Sequence, residues 1–287
     1  MWPAMTVDDY AALELSLGTR LVRVGGVWWR RVRPCFYRPL FPFEPLPVRS
    51  PTPLAARLGG WQHVVADDQP HNSHLNFMVF RYPQGYDRAQ LRREDRKNLR
   101  RAARCLTYRR LTDAEQLAGD GHRLLYEFFG RSAYRWRRDR LRPSVFRRWA
   151  ASLLAEPRVL VLGAFAGGRL CEVHTSFRVR DVLIFDVAFA GQEGRLCRSS
   201  DGVLDFLRER AAHTDARLIS LGPAGGKGSL DGFKLRRGAQ LLALPARLRL
   251  SPAAAGLLRL ASPGVFSRLR GMDEEAALRY SVLCPRA

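Results

Sequence analysis

The segment RVLVLGAFAGGRLCEVHTSFRVRDVLIFDVAFAG, from residue 158 to 191, constrains the fold more than any other part of the chain. Its β-branched, aromatic and other apolar residues predict three strands, at about 158–165, 169–179 and 181–190. Gly167-Gly168 supplies a turn between the first two strands. A sheet therefore forms the centre of this region.

The residues after this block continue the pattern. SSDGVLDFLRERAAH, 199 to 213, predicts a helix that Ser199 or Ser200 can cap, and ARLISLG, 216 to 222, predicts a strand. A glycine-rich turn then leads to a short helix holding Lys234 and to a last strand at about 239–244, closed by Pro245. The order β-β-β-α-β-α-β predicts an α/β (α+β) fold, a mixed sheet with helices packed on it.

The chain before residue 158 is less regular. We predict a hairpin over 20–33 around Gly25-Gly26, and an extended proline-rich connection without a central strand over 34–53. A strand at 74–82, a basic helix at 87–104 and helices at 113–130 and 144–155 follow. The predicted divisions are an N-terminal part (1–105), a main domain (106–250) and a weakly amphipathic C-terminal tail (251–287).

The chain is strongly basic, with a net charge of +21, and only three of its 48 basic residues are lysines. Such a surface attracts polyanions, including nucleic acid, phosphorylated cofactors and acidic membranes. The preference for arginine has a second explanation, because a G+C-rich genome also produces it.

The five cysteines are widely spaced, so we predict neither a disulfide framework nor a metal site. MWPAMTVDDY lacks the features of a signal peptide, and no segment has the roughly 20 apolar residues needed to cross a bilayer. We expect a bacterial protein of the cytoplasm that can also lie peripherally on the inner face of the membrane.

Three local patterns resemble the FemAB-like branch of the GNAT acyltransferase superfamily. They are the basic RKNLRRAAR helix, the GGRLCEVHTSF…DVLIFDVAFAG hairpin followed by SSDGVLDFL, and Phe233-Lys234 with Gly238. Together they span about residues 92 to 245. The resemblance implies a GNAT-like, mainly antiparallel sheet flanked by helices, and a reduced first GNAT-like unit can occupy the N-terminus.

The resemblance also implies transfer of an acyl or aminoacyl group, from a thioester or a charged tRNA, to a small-molecule or peptide amine. The helix start would hold the donor's pyrophosphate, through Arg198, Ser199, Ser200 and Gly202. An acyl-CoA is the donor we expect first. The usual glycine-rich pyrophosphate loop is absent, however, and Asp201 would repel phosphate.

Acyl transfer to an amine needs a base. Glu172 and His174 share one strand parity, so they are candidates for a base and its partner; the alternative is an exposed polar face. Asp186 interrupts the apolar run VLIFDVAFA, and a buried carboxylate there would be functional or paired with an arginine. Cys171 and Cys197 lack an evident activating partner.

Lys234 is the candidate anchor for an anionic group of substrate or cofactor. The alternative is a lysine that lies over Phe233 and bonds a strand carbonyl.

Arginine clusters at 92–104 and 131–148 can be solvated, can bind tRNA, or can bind an anionic membrane. Tyr134 and Trp136 lie among them, which favours base stacking, substrate contact or interfacial insertion. A protein that binds polyanions without catalysis is the rival to the enzyme hypothesis.

Overall fold

The computed structural model describes residues 3–132, 137–224 and 228–283. In these ranges the strands are, in chain order, β1 (Ala4–Met5), β2 (Leu21–Val24), β3 (Val27–Arg33), β4 (Phe36–Pro39), β5 (Gly60–Val64), β6 (Ser73–Arg81), β7 (Thr107–Arg110), β8 (Leu160–Ala166), β9 (Arg169–Val179), β10 (Val182–Ala190), β11 (Leu218–Pro223) and β12 (Gln240–Leu250). The α-helices are α1 (Val7–Ser16), α2 (Arg93–Cys105), α3 (Ala114–Gln116), α4 (His122–Arg131), α5 (Pro143–Ala155), α6 (Gln192–Leu196), α7 (Ser199–Ala211), α8 (Gly228–Arg236), α9 (Pro252–Ala261), α10 (Pro263–Arg270) and α11 (Glu274–Leu283).

The chain packs into two units that are each discontinuous in sequence. The first unit lies within Met1–Thr6 and Arg81–Ile219, and the second within Val7–Phe80 and Ser220–Ala287. The divisions predicted from the sequence, at 105/106 and 250/251, are contiguous and stay a prediction.

In the first unit, β7, β8, β9 and β10 pair in that order, all antiparallel, and β1 pairs with β9 in parallel. The three predicted strands are confirmed. Gly167 and Gly168 form the turn between β8 and β9 with φ of 53° and 82°, a conformation that favours glycine. From Leu170 to Val179 every residue of β9 is buried, so this strand is central to the unit.

The helices of the first unit bury aromatic side chains against this framework. Phe146 and Trp149 of α5 pack on Phe189 of β10, with ring centroids 6.3 and 6.4 Å away. The helix predicted over 113–130 is interrupted, because residues 117–121 form a π-turn between α3 and α4. Two glycines in that stretch, Gly119 and Gly121, weaken a regular helix there.

In the second unit, the predicted hairpin is confirmed as β2 and β3, with Gly25 and Gly26 at positive φ. The expectation of no central strand in 34–53 is wrong, because β4 pairs with both β3 and β5. Its prolines, Pro34 and Pro39, stand before it and at its last residue, where they leave the interior of the strand intact.

The last strand is longer than predicted. Strand β12 does not end at Pro245 but continues to Leu250, first beside β6 and then beside β5. Pro245 stands where β12 changes partner, a position at which a missing N–H is tolerated. The predicted tail forms α9, α10 and α11 in the described residues. No helix in the described ranges is both long and apolar enough to span a bilayer.

Candidate active site

Glu172 lies in the middle of the first unit. It stands on β9 between Ala164 of β8 and Ala190 of β10, whose small side chains leave room for it. Its side chain is 1% exposed, so the alternative of a solvent-exposed polar face is wrong for this residue. The hydroxyl of Ser200 donates to its two carboxylate oxygens, at 3.1 and 3.2 Å.

Burial raises the pKa of Glu172 to about 7. The hydroxyls of Ser199 and Ser200 oppose this shift, and the charge of Asp201 adds to it. A carboxyl group that titrates near neutrality can take up and release protons under ordinary conditions.

His174 does not pair with Glu172. It is fully buried, its ring packs 4.1 Å from that of Phe185, and neither ring nitrogen has a hydrogen-bond partner of ordinary geometry. Burial lowers its pKa to about 3, although the backbone of Val187 acts in the opposite direction. The imidazole is therefore neutral at physiological pH.

The side chain of Asp186 is exposed, so the prediction of a buried carboxylate at this position is wrong. Asp186 stands at a bulge of β10 between Phe185 and Val187. Thr175 donates to it at 3.3 Å. The structure thus separates Asp186 from Glu172 and His174, and its catalytic role stays a prediction.

The start of α7 differs from the predicted cap. Neither Ser199 nor Ser200 caps the helix; Arg198 precedes it in the left-handed conformation, at φ 62°, and its carbonyl accepts from the N–H groups of Asp201 and Gly202. Ser199 is fully buried and its hydroxyl has no hydrogen-bond partner of ordinary geometry. The first N–H groups of a helix lack partners within it, so this end can receive an anion.

A cavity of about 230 Å³ opens between α2 and α7. Its apolar lining comes from the two helices and from the residue that follows α2; these residues are Leu99, Ala102, Ala103, Leu106 and Phe206. Tyr108 and Gly202 also line it, and the Tyr108 hydroxyl occupies the space that a β-carbon on Gly202 would need. Burial and the charge of Glu172 raise the pKa of Tyr108, which stays protonated.

One side of the cavity is polar. Arg88 donates to both carboxylate oxygens of Asp205 and, at 2.9 Å, to Glu209. The hydroxyl of Tyr86 also donates to Asp205, at 2.6 Å. Sequence reasoning missed Tyr108, Arg88 and Asp205, since each is an ordinary residue in its own segment and becomes notable only through the packing of α2 on α7.

In the second unit, Lys234 donates to the carbonyl oxygen of Leu221 at 2.6 Å. Burial lowers its pKa, against a smaller opposing effect of Asp231. This strand-carbonyl contact is the one the alternative hypothesis described, although Arg237, and not Lys234, lies over the Phe233 ring, at 3.5 Å. The role of Lys234 in substrate binding stays a prediction.

The basic clusters lie partly within the described residues. On α2 the side chains of Lys97, Arg100, Arg101 and Arg104 are exposed, whereas Arg96 bonds the carbonyls of Ala89 and Leu91. Tyr134 and Trp136 fall outside the described residues. Within the described ranges, no group of three His, Cys, Asp or Glu side chains could hold a metal ion.

No protein-family model matches the sequence, and no curated protein matches it. Several solved structures are similar to this one in fold. The C-terminal domain of a putative lysylphosphatidylglycerol synthetase from Agrobacterium fabrum superposes with a TM-score of 0.55 and 11% identity, over 91% of this chain and 92% of that chain.

L-PGS from Bacillus licheniformis gives a TM-score of 0.53 and 9% identity, over 94% of this chain and 98% of that chain. FemX gives a TM-score of 0.52 and 10% identity, over 70% of this chain and 74% of that chain. These likenesses, with the strand pairing described above, establish the predicted fold class, a GNAT-like α/β fold with a mainly antiparallel sheet flanked by helices.

Proposed function

We propose that this protein is an acyl-group transferase that moves an aminoacyl group from an aminoacyl-tRNA to an amine or hydroxyl acceptor. The observation that carries this proposal is the extent of the structural likeness. It covers more than nine-tenths of both chains for the putative lysylphosphatidylglycerol synthetase domain and for L-PGS. The name of the first describes an enzyme that makes a lysyl derivative of a lipid.

In the proposed reaction, Glu172 is the general base that takes up the acceptor's proton and later returns it to the leaving group. Because Glu172 is buried, the acceptor gives its proton to the Ser200 hydroxyl, which passes its own proton to the carboxylate. The acceptor nitrogen or oxygen attacks the aminoacyl carbonyl, the ester bond to the tRNA breaks, and the proton goes on to the tRNA oxygen that leaves. Tyr108, whose hydroxyl stays protonated, is the candidate donor to the carbonyl oxygen.

The charges near α7 support an aminoacyl donor. Asp201, in the first turn of the helix, is 6% exposed, and it lies close enough to Glu172 to raise the pKa of that residue. Two acidic groups beneath a helix start oppose a pyrophosphate, so these residues fit the pyrophosphate of CoA poorly. They suit the α-ammonium group of an aminoacyl ester, which is positively charged.

The basic surface supports a nucleic-acid donor. The exposed arginines of α2 present a row of positive charges in the first unit, the unit that holds Glu172. Arginine and lysine contacts with phosphates supply most of the sequence-independent affinity for nucleic acid, and they weaken as salt increases.

An acyl thioester such as acetyl-CoA is the second candidate donor. It is favoured by the start of α7, because the first N–H groups of a helix lack partners within it and can receive the pyrophosphate of a CoA donor. The sites for the donor would then be those named from the sequence, Arg198, Ser199, Ser200 and Gly202.

The test is a transfer assay with tRNA charged with radiolabelled amino acids, and in parallel with radiolabelled acetyl-CoA. Phosphatidylglycerol and a set of free amines serve as acceptors. We expect label to move from the charged tRNA with the native protein and not with Glu172→Gln. Transfer from acetyl-CoA alone would establish the second candidate, and transfer from neither would overturn the proposal.

A further inference from the structure

Helix α9, in the second unit, turns an apolar face to solvent. Leu257 is 67% exposed and Leu260 is 87% exposed. Ala253 and Ala261, also exposed, lie on the same side, because residues spaced by three and four positions share a helix face. In a helix that only covers a core, the apolar face is the buried one. The exposed face of α9, defined by these four residues, is apolar although it faces solvent, and the half-buried side, with Ala254, Ala255 and Leu258, is apolar too.

This orientation is held by specific bonds. The hydroxyl of Ser251 caps α9 by accepting from the N–H of Ala254, and it donates to the carbonyl of Leu58 at 2.8 Å. The N–H of Ser251 donates to the carbonyl of Gly59 at 3.1 Å. The start of the helix is therefore fixed in place. Leu58, beside it, is itself 74% exposed.

The segment that contains α9 is basic. Between residues 246 and 272 the sequence has no aspartate or glutamate and has five arginines, at positions 247, 249, 259, 268 and 270. Arg259 lies over the ring of Phe266, 5.0 Å from its centroid, and so joins α9 to α10. Exposed leucines in a segment whose charged residues are all arginines match a surface that is apolar inside and negative at its boundary.

We infer that the exposed face of α9 binds the surface of an anionic lipid bilayer, with Leu257 and Leu260 in the boundary between headgroups and acyl chains. The arginines would contact the lipid phosphates. A second copy of the chain fits less well, since a symmetric contact through this segment would bring two sets of arginines together. This inference concerns the second unit and does not depend on the proposed donor or acceptor.

The test is co-sedimentation of the full chain with vesicles, in the absence of any donor. One set of vesicles contains phosphatidylcholine alone, and the other contains phosphatidylcholine and phosphatidylglycerol in equal amounts. We expect binding to the mixed vesicles only, weakened by salt. The double variant Leu257→Ser/Leu260→Ser should lower the partition coefficient by about tenfold or more, because it removes two apolar side chains from the buried area.

The matched control is Leu196→Ser/Leu278→Ser, which removes two leucines of similar exposure from α6 and α11. It should bind as the native chain does, and circular dichroism and thermal melting check that each variant is folded. An equal loss of vesicle binding in both double variants would overturn the inference. So would binding that depends on Arg100, Arg101 and Arg104 of α2 and not on the leucines. Loss of a dimer without a change in vesicle binding would assign the face to a second copy.

Discussion

The hydroxyl of Ser200, in the first turn of α7, donates to both oxygens of the Glu172 carboxylate on β9, at 3.1 and 3.2 Å. The helix start and the central strand therefore meet at one buried group, whose pKa is raised to about 7. The cavity residues Tyr108 and Gly202 lie next to this contact, because the Tyr108 hydroxyl approaches the carbonyl of Ser199 at 3.4 Å. The proposed chemistry depends on this arrangement.

Activity should rise with pH through about 7, because Glu172 must lose its proton to act as a base. Glu172→Gln should lower kcat by about 100-fold or more and should abolish this pH dependence. Ser200→Ala should also lower kcat, whereas Ser200→Thr, which keeps the hydroxyl, should restore part of it. A kcat that is unchanged in Glu172→Gln would remove Glu172 from the mechanism.

Glu172 should also make stability depend on pH. Its folded-state pKa of about 7 lies above the ordinary value of 4.5, so the native state binds the proton more tightly than the unfolded state does. Its contribution is complete below about 4.5 and is lost as pH rises to about 7. As pH rises between these limits, the free energy of unfolding of Glu172→Gln should increase relative to that of the native chain by on the order of 3 kcal/mol. Urea unfolding at several pH values measures this, and a difference independent of pH would contradict it.

Gly202→Ala should destabilise the protein by about 1–3 kcal/mol, because the added methyl group would overlap the Tyr108 hydroxyl. Combining it with Tyr108→Ala should recover part of the loss, which a double-mutant cycle detects. The control is Gly130→Ala in α4, where nothing lies near the position of the added carbon. That change should stabilise the helix by about 0.5–1 kcal/mol.

Asp205→Asn should lower the free energy of unfolding by about 1–2 kcal/mol. The change removes the charge that holds Arg88 and replaces one of the two acceptor oxygens with an NH2 group, so the asparagine cannot keep all the bonds from Tyr86 and Arg88. Asp205 is buried and Arg88 is half-exposed. The comparison is Glu193→Gln, which breaks a solvent-exposed ion pair with Arg169 and should have little effect. Equal melting temperatures for the two variants would show that the Arg88 contact contributes no more than a surface pair.

Lys234→Met should raise KM for the donor while the protein stays folded, if Lys234 anchors an anionic group as the sequence predicts. The variant also leaves the Leu221 carbonyl without its lysine donor, which should cost about 1 kcal/mol of stability. Steady-state kinetics and thermal melting separate the two effects. An unchanged KM with lowered stability would assign the lysine to the Leu221 contact alone.

Strands and turns were predictable from the sequence where a single local pattern, such as an apolar run or a glycine pair, dominates a segment. The strands between 158 and 190 and the hairpin at Gly25-Gly26 follow from apolar runs and glycine turns, and both are confirmed. Prediction failed where local signals compete with long-range pairing. The proline-rich stretch contains a central strand, and β12 continues through Pro245, because neighbouring strands supply the hydrogen bonds that make those segments extended.

The site was predictable only in part, for the same reason. The strand parity that selected Glu172 and His174 is local information, but it does not report burial or partners. The structure places Ser200, and not His174, against Glu172, and it leaves Asp186 in solvent. Tyr108 carries no local signal, because its position depends on Gly202, 94 positions further along the chain. The Tyr108 hydroxyl lies where a β-carbon at Gly202 would stand.

By itself, the sequence determined the positions of most strands and helices, the strongly basic charge and the candidate helix start at residues 198–202. These properties are local or additive, so apolar periodicity, turn residues and composition are enough to predict them. Only the tertiary structure decided which carboxylate is buried, which hydroxyl bonds it and which leucines remain exposed. Desolvation and hydrogen bonding depend on which distant segments pack together, and that packing sets the pKa of Glu172 and the outward face of α9.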